Sequence, residues 1–444
     1  MNDDSPRKSK RQTKLTTYLF NVGQGDNILL KLPNGEFGII DCFYDSDLDV
    51  PEPPALTYLK EVRRRRDPSI PLTISFICLS HPDGDHVKGV SELLSWIEKN
   101  DNVILRDLWL WPGTILADLI KCYREFGDAE VKNDTTSRAS EVSRELRSIF
   151  KFRDRRRNPV NIEWLHDIRK LAEDVGGNVK AVAVAPLGKH VNKFDKQARR
   201  AFVQFAMDQL KHTTNRHKHV KIEQNLLSSI LMLIYGRHRL LFGGDAGKEV
   251  WKDCINHYDA RDHKKDHGEL EGDFVKASHH GSKNSSEEDV WSKILMSGAK
   301  VGISAGRKYS EKHPHRETLA HILKTGEGKD KGPQIFATNS CRNCIDEDDQ
   351  CIKKRLKWVV RRPDLKDSVR ATFSPNLLET LKTGDVPTSP VPPEYLAAYV
   401  FRFKPEADIR VFRLFSSAVK GDEDCPFKKP IQKLFPRCAV PEAP

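Results

Sequence analysis

The densest concentration of chemically able side chains in this sequence is His81-Pro82-Asp83-Gly84-Asp85-His86, with four side chains of metal-ligand type in six residues. They stand directly behind the apolar run LTISFICLS (72–80). A turn containing Pro and Gly lets four such side chains converge on one point, whereas a helix would splay them around its circumference. Imidazole together with carboxylate suits a borderline-to-hard divalent ion such as Zn²⁺, Mn²⁺ or Fe²⁺. The bland alternative is a solvated polar turn. Further candidates follow other apolar runs in the same way: Asp41 after FGII, Asp245 after LLFGG, and His279-His280-Gly281-Ser282 after DFVKAS. A lone strand-end Asp is ordinarily a turn residue or a helix cap. Recurrence at the same end of successive strands, where α/β folds place their sites, argues for one shared metal site.

The elements that would position these residues are legible as short patterns. In residues 15–32, two β-rich runs flank Gly23-Gln24-Gly25-Asp26, and a turn at Pro33-Asn34-Gly35 leads to a third run, Phe37–Cys42. A helix is expected over about 55–66, followed by the buried strand that ends at His81. Strand, helix, strand is the order of a layered α/β sheet. A second β block comprises residues 226–236, 238–244, 273–278 and 300–306. Between the blocks, residues from about 112 to 220 read as a helical insertion. Helical spacing is found at Val142, Leu146, Ile149 and Phe150, and again at Ile162, Leu165, Ile168, Leu171, Ala172 and Val175. A strand over 179–187 interrupts it, and a third helix carries Phe202, Phe205, Ala206 and Leu210. Residues 1–14 form a flexible basic arm, 15–340 the catalytic domain, and 341–444 a Cys-containing C-terminal appendage. No internal repeat is visible.

Composition narrows the class. The chain has 444 residues, 74 Lys and Arg against 63 Asp and Glu, and a formal charge of +11. Its mean hydropathy of −0.59 describes a charge-rich protein. No apolar stretch approaches the ~18–20 residues of a membrane-spanning helix, and no apolar segment follows the basic start as in a secretory signal. Nine cysteines, an odd count, suit a reducing cytoplasm. Cys42, Cys78, Cys122 and Cys254 lie in or beside apolar runs, as core thiols do.

The ordered set Asp41, HPDGDH, Gly244-Asp245 and HHGS resembles the metallo-β-lactamase fold superfamily. Within it, VGQGD (22–26), SHPDGDH (80–86), LLFGGDA (240–246), VKASHHGSKNSS (275–286) and HPH (313–315) resemble the nuclease domain of the competence protein ComEC and its soluble relatives. The resemblance covers about residues 16–338 apart from the insertion. It implies an α/β fold, a four-layer αββα sandwich with metals at one edge of the facing sheets. It also implies roles. His81 and Asp83 would bind one ion, Asp85 and His86 the second, Asp245 would bridge them, and His279 would complete the second site. Asp41 and Asp26 would lie behind the ligands. Which of His279 and His280 ligates is open. Asp83 stands where the superfamily has the second histidine of its HxHxDH motif, and Asn225 stands near its third-motif histidine. Both departures are shared with ComEC-like proteins, and they favour Mn²⁺ over Zn²⁺ by ligand hardness.

The expected activity is hydrolysis of a phosphodiester by a hydroxide activated between two metal ions. Asp85 would orient the hydroxide, and His280, His313 or His315 would bind phosphate or protonate the leaving group. Asn225, Ser282 and Lys283 are candidates for substrate contact, the last two equally readable as a solvated turn. Basic stretches point to nucleic acid, DNA more than RNA. Residues 196–221 carry seven Lys or Arg and three His, and 353–370 carry eight Lys or Arg against two Asp. Phe202, Phe205, Trp358 and Phe373 are candidates for base stacking, the first two equally for core. Cys341, Cys344 and Cys351 could hold a structural Zn²⁺ with a fourth ligand such as Cys425 or Cys438, or be free thiols. Two other readings stand beside the nuclease: hydrolysis of a small phosphodiester such as a nucleotide or choline-phosphate ester, and a non-catalytic subunit of an effector assembly, for instance in phage defence.

Overall fold

In the computed structural model, the described residues are 14–44, 52–112, 144–145, 147–149, 151–152, 160–210, 223–260, 263–285, 287–304, 313–327, 331–338 and 397–413. The strands are β1 (Leu15–Phe20), β2 (Asn27–Lys31), β3 (Phe37–Cys42), β4 (Leu72–Leu79), β5 (Val103–Leu110), β6 (Asn161–Trp164), β7 (Arg169–Ala172), β8 (Val179–Ala185), β9 (Ile230–Tyr235), β10 (His238–Phe242), β11 (Gly272–Lys276), β12 (Leu295–Ile303), β13 (Gln334–Ala337), β14 (Ala397–Lys404) and β15 (Ala407–Arg413). They form two sheets, ordered β15-β14-β1-β2-β3-β4-β5-β6 and β13-β12-β11-β10-β9-β8-β7.

Alternate residues of these strands enter different cores, as the two-residue period of a strand requires. Leu19, Ile28, Leu30, Ile40 and Phe76 of the first sheet share one buried cluster with Leu233, Leu240, Phe242 and Phe274 of the second. Their neighbours Tyr18, Leu29, Ile39 and Leu79 instead join the cluster that contains helical residues. Helices α1 (Pro54–Arg65), α2 (Gly84–Val87) and α3 (Val90–Glu98) belong to the first sheet's side, with α1 against β2 and α3 against β5. The second sheet is followed by α4 (Gly188–Leu210), α5 (Lys248–Ala260), α6 (His263–His267), α7 (Glu288–Ile294) and α8 (Arg316–Lys324). Leu241, Val275 and Val301 share the helix-containing core with Trp251, Trp291 and Ile322. Helix, sheet, sheet, helix is the expected four-layer sandwich.

Parallel pairing fixes where the site must be. β3, β4 and β5 run parallel, as do β10, β11, β12 and β13. A helix bridges most of these crossovers. The segments leaving β4, β10 and β11 at their C-terminal ends are Ser80-His81, Gly243-Gly244-Asp245 and Ala277–His280. Helix ends follow ordinary rules: α1 begins with Pro54 at its first position and ends on Arg63, Arg64 and Arg65, complementing its dipole.

Three expectations need correction. Residues 162–175 are not helical. β6 pairs parallel with β5 at one edge of the first sheet, and β7 pairs antiparallel with β8 at one edge of the second. Each has four residues, too few to display a period of two. Leu165 and Ile168 lie in the turn between them, where apolar residues three apart imitate a helix. β8, expected inside the insertion, is a strand of the second sheet paired with β9. The C-terminal part is likewise no simple appendage, because β14 and β15 form a hairpin paired antiparallel with β1. The cysteine cluster and the stretch 353–370 lie outside the described residues.

Phe401 on β14 is fully buried between the sheets, 4.7 Å from the Phe274 ring centroid and 5.4 Å from that of Phe336. Phe401→Ala is expected to lower unfolding free energy by about 3–5 kcal/mol, read as a reduced urea midpoint. An unchanged midpoint would show that the hairpin is peripheral.

Candidate metal centre

The strand ends bring the sequence-identified ligands together. His86 is fully buried and held at both nitrogens: Nδ1 lies 2.7 Å from Asp41 Oδ2, and Nε2 lies 3.0 Å from Asp245 Oδ1. Asp41 is itself fixed, accepting the Ser80 N–H at 2.7 Å and the Ser80 hydroxyl at 2.5 Å. With Nδ1–H donated to Asp41, Nε2 presents either a lone pair or a second proton to Asp245. Asp245 sits among imidazoles, with His280 Nε2 at 3.9 Å and His279 Nε2 at 3.7 Å from its oxygens. Asp85 Oδ2 lies 3.3 Å from His280 Nε2. One ligand atom from each of Asp85, His86, Asp245 and His280 falls within 4.8 Å of every other. His81 is fully buried beside His86, with ring centroids 5.3 Å apart, and its Nδ1 lies 3.9 Å from Asp83 Oδ2.

The electrostatics match this crowding. Burial alone would discharge His86, but the carboxylates of Asp245 and Asp41 outweigh it and hold its pKa well above the usual histidine range. Burial would likewise raise Asp245, but His86, His279 and His280 hold it well below the carboxylate range. For Asp85 the hydrogen bond from His280 and the charge of His86 overcome burial, bringing it to about 2. His81 moves the other way: burial lowers its pKa, favouring the neutral ring, which has one nitrogen lone pair to offer.

Backbone conformation carries strain here. Asp41, His279 and His280 have φ of 55°, 47° and 53°, a region that costs non-glycine residues energy and clusters at functional sites. Gly244 has φ 48°, and a Cβ there would stand 2.9 Å from Ser80 Oγ and 3.0 Å from the Ser229 carbonyl. The glycine therefore lets β10 and β4 approach closely enough for Asp245 to reach His86.

Several sequence roles change. It is His280, expected in catalysis, that falls in the four-residue ligand group, while His279, expected as a ligand, sits at its rim with its side chain 26% exposed. Asn225 contacts His279 rather than open space, its amide nitrogen 3.2 Å from Nδ1. Asp26 is not behind the metal ligands as a free carboxylate. It pairs at 2.8 Å with Lys276, a fully buried lysine that motif reading passed over. Its signal was a charged residue at an inward-facing position of the apolar run ending β11. Gln224, also missed, reaches both Asp83 oxygens at 2.7 and 3.0 Å when its amide is turned to donate. Ser282 is buried and serves the turn, its carbonyl accepting from Ser285 and Thr318. Lys283 pairs with Glu317 at 3.2 Å. His315 caps α8 by accepting the Glu317 N–H. His313 remains near the centre, its ring 5.7 Å from that of His279.

The residues fit divalent metal. His81 Nδ1 and Nε2, His86 Nε2, Asp245 Oδ1 and His280 Nδ1 are buried without a hydrogen-bond partner. His86 Nε2 and Asp245 Oδ1 approach to 3.0 Å without hydrogen-bond alignment. An unsatisfied buried polar group costs about 1–3 kcal/mol, and a cation held by His86 Nε2 and Asp245 Oδ1 would remove that cost for both atoms.

No protein-family model matches the chain, and no curated protein does. Among solved structures, the metallo-β-lactamase fold protein YhfI from Bacillus subtilis is similar over 74% of this chain and 97% of its own, at 7% identity and a TM-score of 0.37. Tm1679, a metal-dependent hydrolase of the β-lactamase superfamily, is similar over 73% of this chain and 95% of its own, at 9% identity and a TM-score of 0.35. CmlA, a diiron β-hydroxylase from Streptomyces venezuelae, is 12% identical with a TM-score of 0.37, and this chain spans 53% of it. At such distance the chemistry has to come from the site's own residues. Among the described residues, no helix is long and apolar enough to cross a membrane.

A group whose folded pKa is raised stabilises the fold below its unfolded value, and the contribution is lost as pH climbs through the folded value. For His86 the unfolded value is about 6.5. In chelator, the melting temperature is therefore expected to fall as pH rises above that point. Saturating Mn²⁺ should remove the decline, because the ion replaces the proton on ligand nitrogens. A metal-free protein that melts no lower at pH 9 than at pH 6.5 contradicts this charge assignment.

Proposed function

We propose that the protein is a metal-dependent phosphodiester hydrolase acting on nucleic acid, with DNA the preferred substrate. The observation that carries the hydrolase reading is the convergence of Asp85, His86, Asp245 and His280 at the strand ends, one ligand atom of each within 4.8 Å of the others, with His86 Nε2 and Asp245 Oδ1 buried and without a hydrogen-bond partner. The nucleic-acid reading rests on the charge of +11, on its basic stretches, and on the resemblance of the ordered motifs to ComEC-like nuclease domains.

His81, Asp83 and Asp245 would hold one divalent ion, and Asp85, His86, His280 and Asp245 another. Bound ions would supply Lewis acidity, lowering the pKa of an attacking water and offsetting charge on the phosphoryl oxygens. Asp41 accepts the Nδ1 proton of His86 and so keeps Nε2 turned to the site. Asp85 is ionised and exposed enough, at 25% of its side chain, to orient a water. His279 stands at the rim with Asn225 donating to Nδ1, which leaves the proton on Nε2. From there it can donate a hydrogen bond to a phosphoryl oxygen. His313 adjoins both histidines, its ring centroid 5.7 Å from that of His279 and 6.5 Å from that of His280.

Two experiments test this. Purified protein supplied with Mn²⁺ is expected to cleave plasmid and linear DNA, while Asp245→Ala and His86→Ala lose essentially all turnover. Indistinguishable wild-type and variant rates on DNA, RNA and bis-p-nitrophenyl phosphate would end the enzyme reading; cleavage of the small ester alone would replace the nuclease with a small-phosphodiester hydrolase. Separately, Asp41→Asn is expected to weaken Mn²⁺ binding about 10–100-fold while circular dichroism stays native. Unchanged affinity would remove Asp41 from the metal centre.

A further inference from the structure

Two groups of ligand-type side chains adjoin in this fold, and they share His86. The front group is Asp85, His86, Asp245 and His280; the rear group is Asp26, Asp41 and His86, also with one ligand atom each inside 4.8 Å. Two carboxylates and an imidazole can serve a hard divalent ion once the ion displaces the His86 Nδ1 proton, as metal binding to a protonated ligand does. The difference between the groups lies in what already occupies them.

Lys276 closes the rear group. Its side chain is fully buried, and Nζ donates to Asp26 at 2.8 Å and to the Ala277 carbonyl at 3.0 Å. Nζ lies 2.8 Å from each of the two Asp26 carboxylate oxygens. Asp26 is locked from its backbone too: its N–H donates to the Asp85 carbonyl and its own carbonyl accepts from Phe43, both at 3.0 Å. Asp41 spends its oxygens on Ser80 and on His86 Nδ1.

We infer that Lys276 is a built-in monovalent cation which holds the Asp26 carboxylate of the rear group, denies that carboxylate to a divalent ion and confines metal to the front group. A divalent ion on Asp26 would bind at about 2.0–2.6 Å from an oxygen, inside the space of the ammonium and against its charge. In a buried site that repulsion is weakly screened. Lys276 also ties the two metal-facing loops together. Asp26 bonds to the chain of Asp85, and Lys276 lies just before His279 and His280 on the strand that delivers them. The residue thus selects which of two overlapping sites is the metal centre, and it does so through Asp26 without touching a ligand.

This inference rests on the front group holding metal, and counting ions separates the two. Metal content and Mn²⁺ titration are measured on the full chain, with circular dichroism confirming the fold. Lys276→Met is expected to bind one Mn²⁺ more per chain than wild type, and Lys276→Met/Asp26→Asn to return to the wild-type number. Equal stoichiometry in folded wild type and Lys276→Met overturns the inference while leaving the proposed function intact. A wild type that binds no Mn²⁺ at all overturns both. Asp26→Asn supplies a second test that does not require a buried vacancy: the ammonium loses its counter-charge and repels the front ion, so Mn²⁺ affinity should fall about tenfold with no change in stoichiometry. Affinity equal to or tighter than wild type in Asp26→Asn also overturns the inference.

Discussion

The structure depends most on one imidazole gripped from both sides. His86 is held by Asp41 at one nitrogen and faces Asp245 with the other, and those carboxylates come from different sheets. Asp41 ends β3 in the first; Asp245 follows β10 in the second. The histidine is therefore a strut across the mouth of the sandwich as well as a ligand. Bringing a carboxylate to each nitrogen requires the sheets to meet at one separation, and Gly244 is the residue that permits it. A centre assembled this way is preorganised: the fold has already met the cost of gathering like charges before any ion arrives.

The same constraint explains why polar residues crowd one end of an otherwise apolar interior. Between the sheets lie Phe76, Trp109, Phe242, Phe274 and Phe401, all buried. Phe76 and Trp109 stack with centroids 4.1 Å apart and planes 10° from parallel. This aromatic filling keeps the sheets at a fixed spacing and leaves only the strand ends free for chemistry. Buried charges there are acceptable because each has an opposite partner, as Lys276 has Asp26.

What the sequence disclosed was what local chemistry encodes. HPDGDH, Gly244-Asp245 and HHGS each sit on a turn directly after an apolar run, so their meeting could be anticipated from strand ends alone. The β block from Ile230 to Ile303 followed for the same reason. The failures share a cause: pairing between distant segments leaves little local trace. β6 and β7 are too short for alternation to speak, and the turn at Leu165 and Ile168 imitates helical spacing. β14 and β15 lie in the segment read as a Cys-containing appendage, and only their pairing with β1 makes them part of the core. Which of His279 and His280 joins the candidate ligand group was open in the sequence, because both residues have left-handed backbone, which no side-chain pattern reports. Lys276 went unread because its partner lies 250 positions away.

That C-terminal hairpin also bears on how the chain comes into being. Leu15 pairs with Phe403, so the first strand of the sheet waits for one of the last. During synthesis β1 has β2 on one side and an open edge on the other until residue 403 has left the ribosome. Such an edge is a template for pairing with other chains, and contacts this remote in sequence form slowly. The newborn protein passes through an interval in which its metal ligands are all synthesised but its sandwich is unsealed. Phe336, which contacts Tyr399 and Phe401 at 5.4 Å, marks where the two ends of the intervening segment are sewn together once that interval closes.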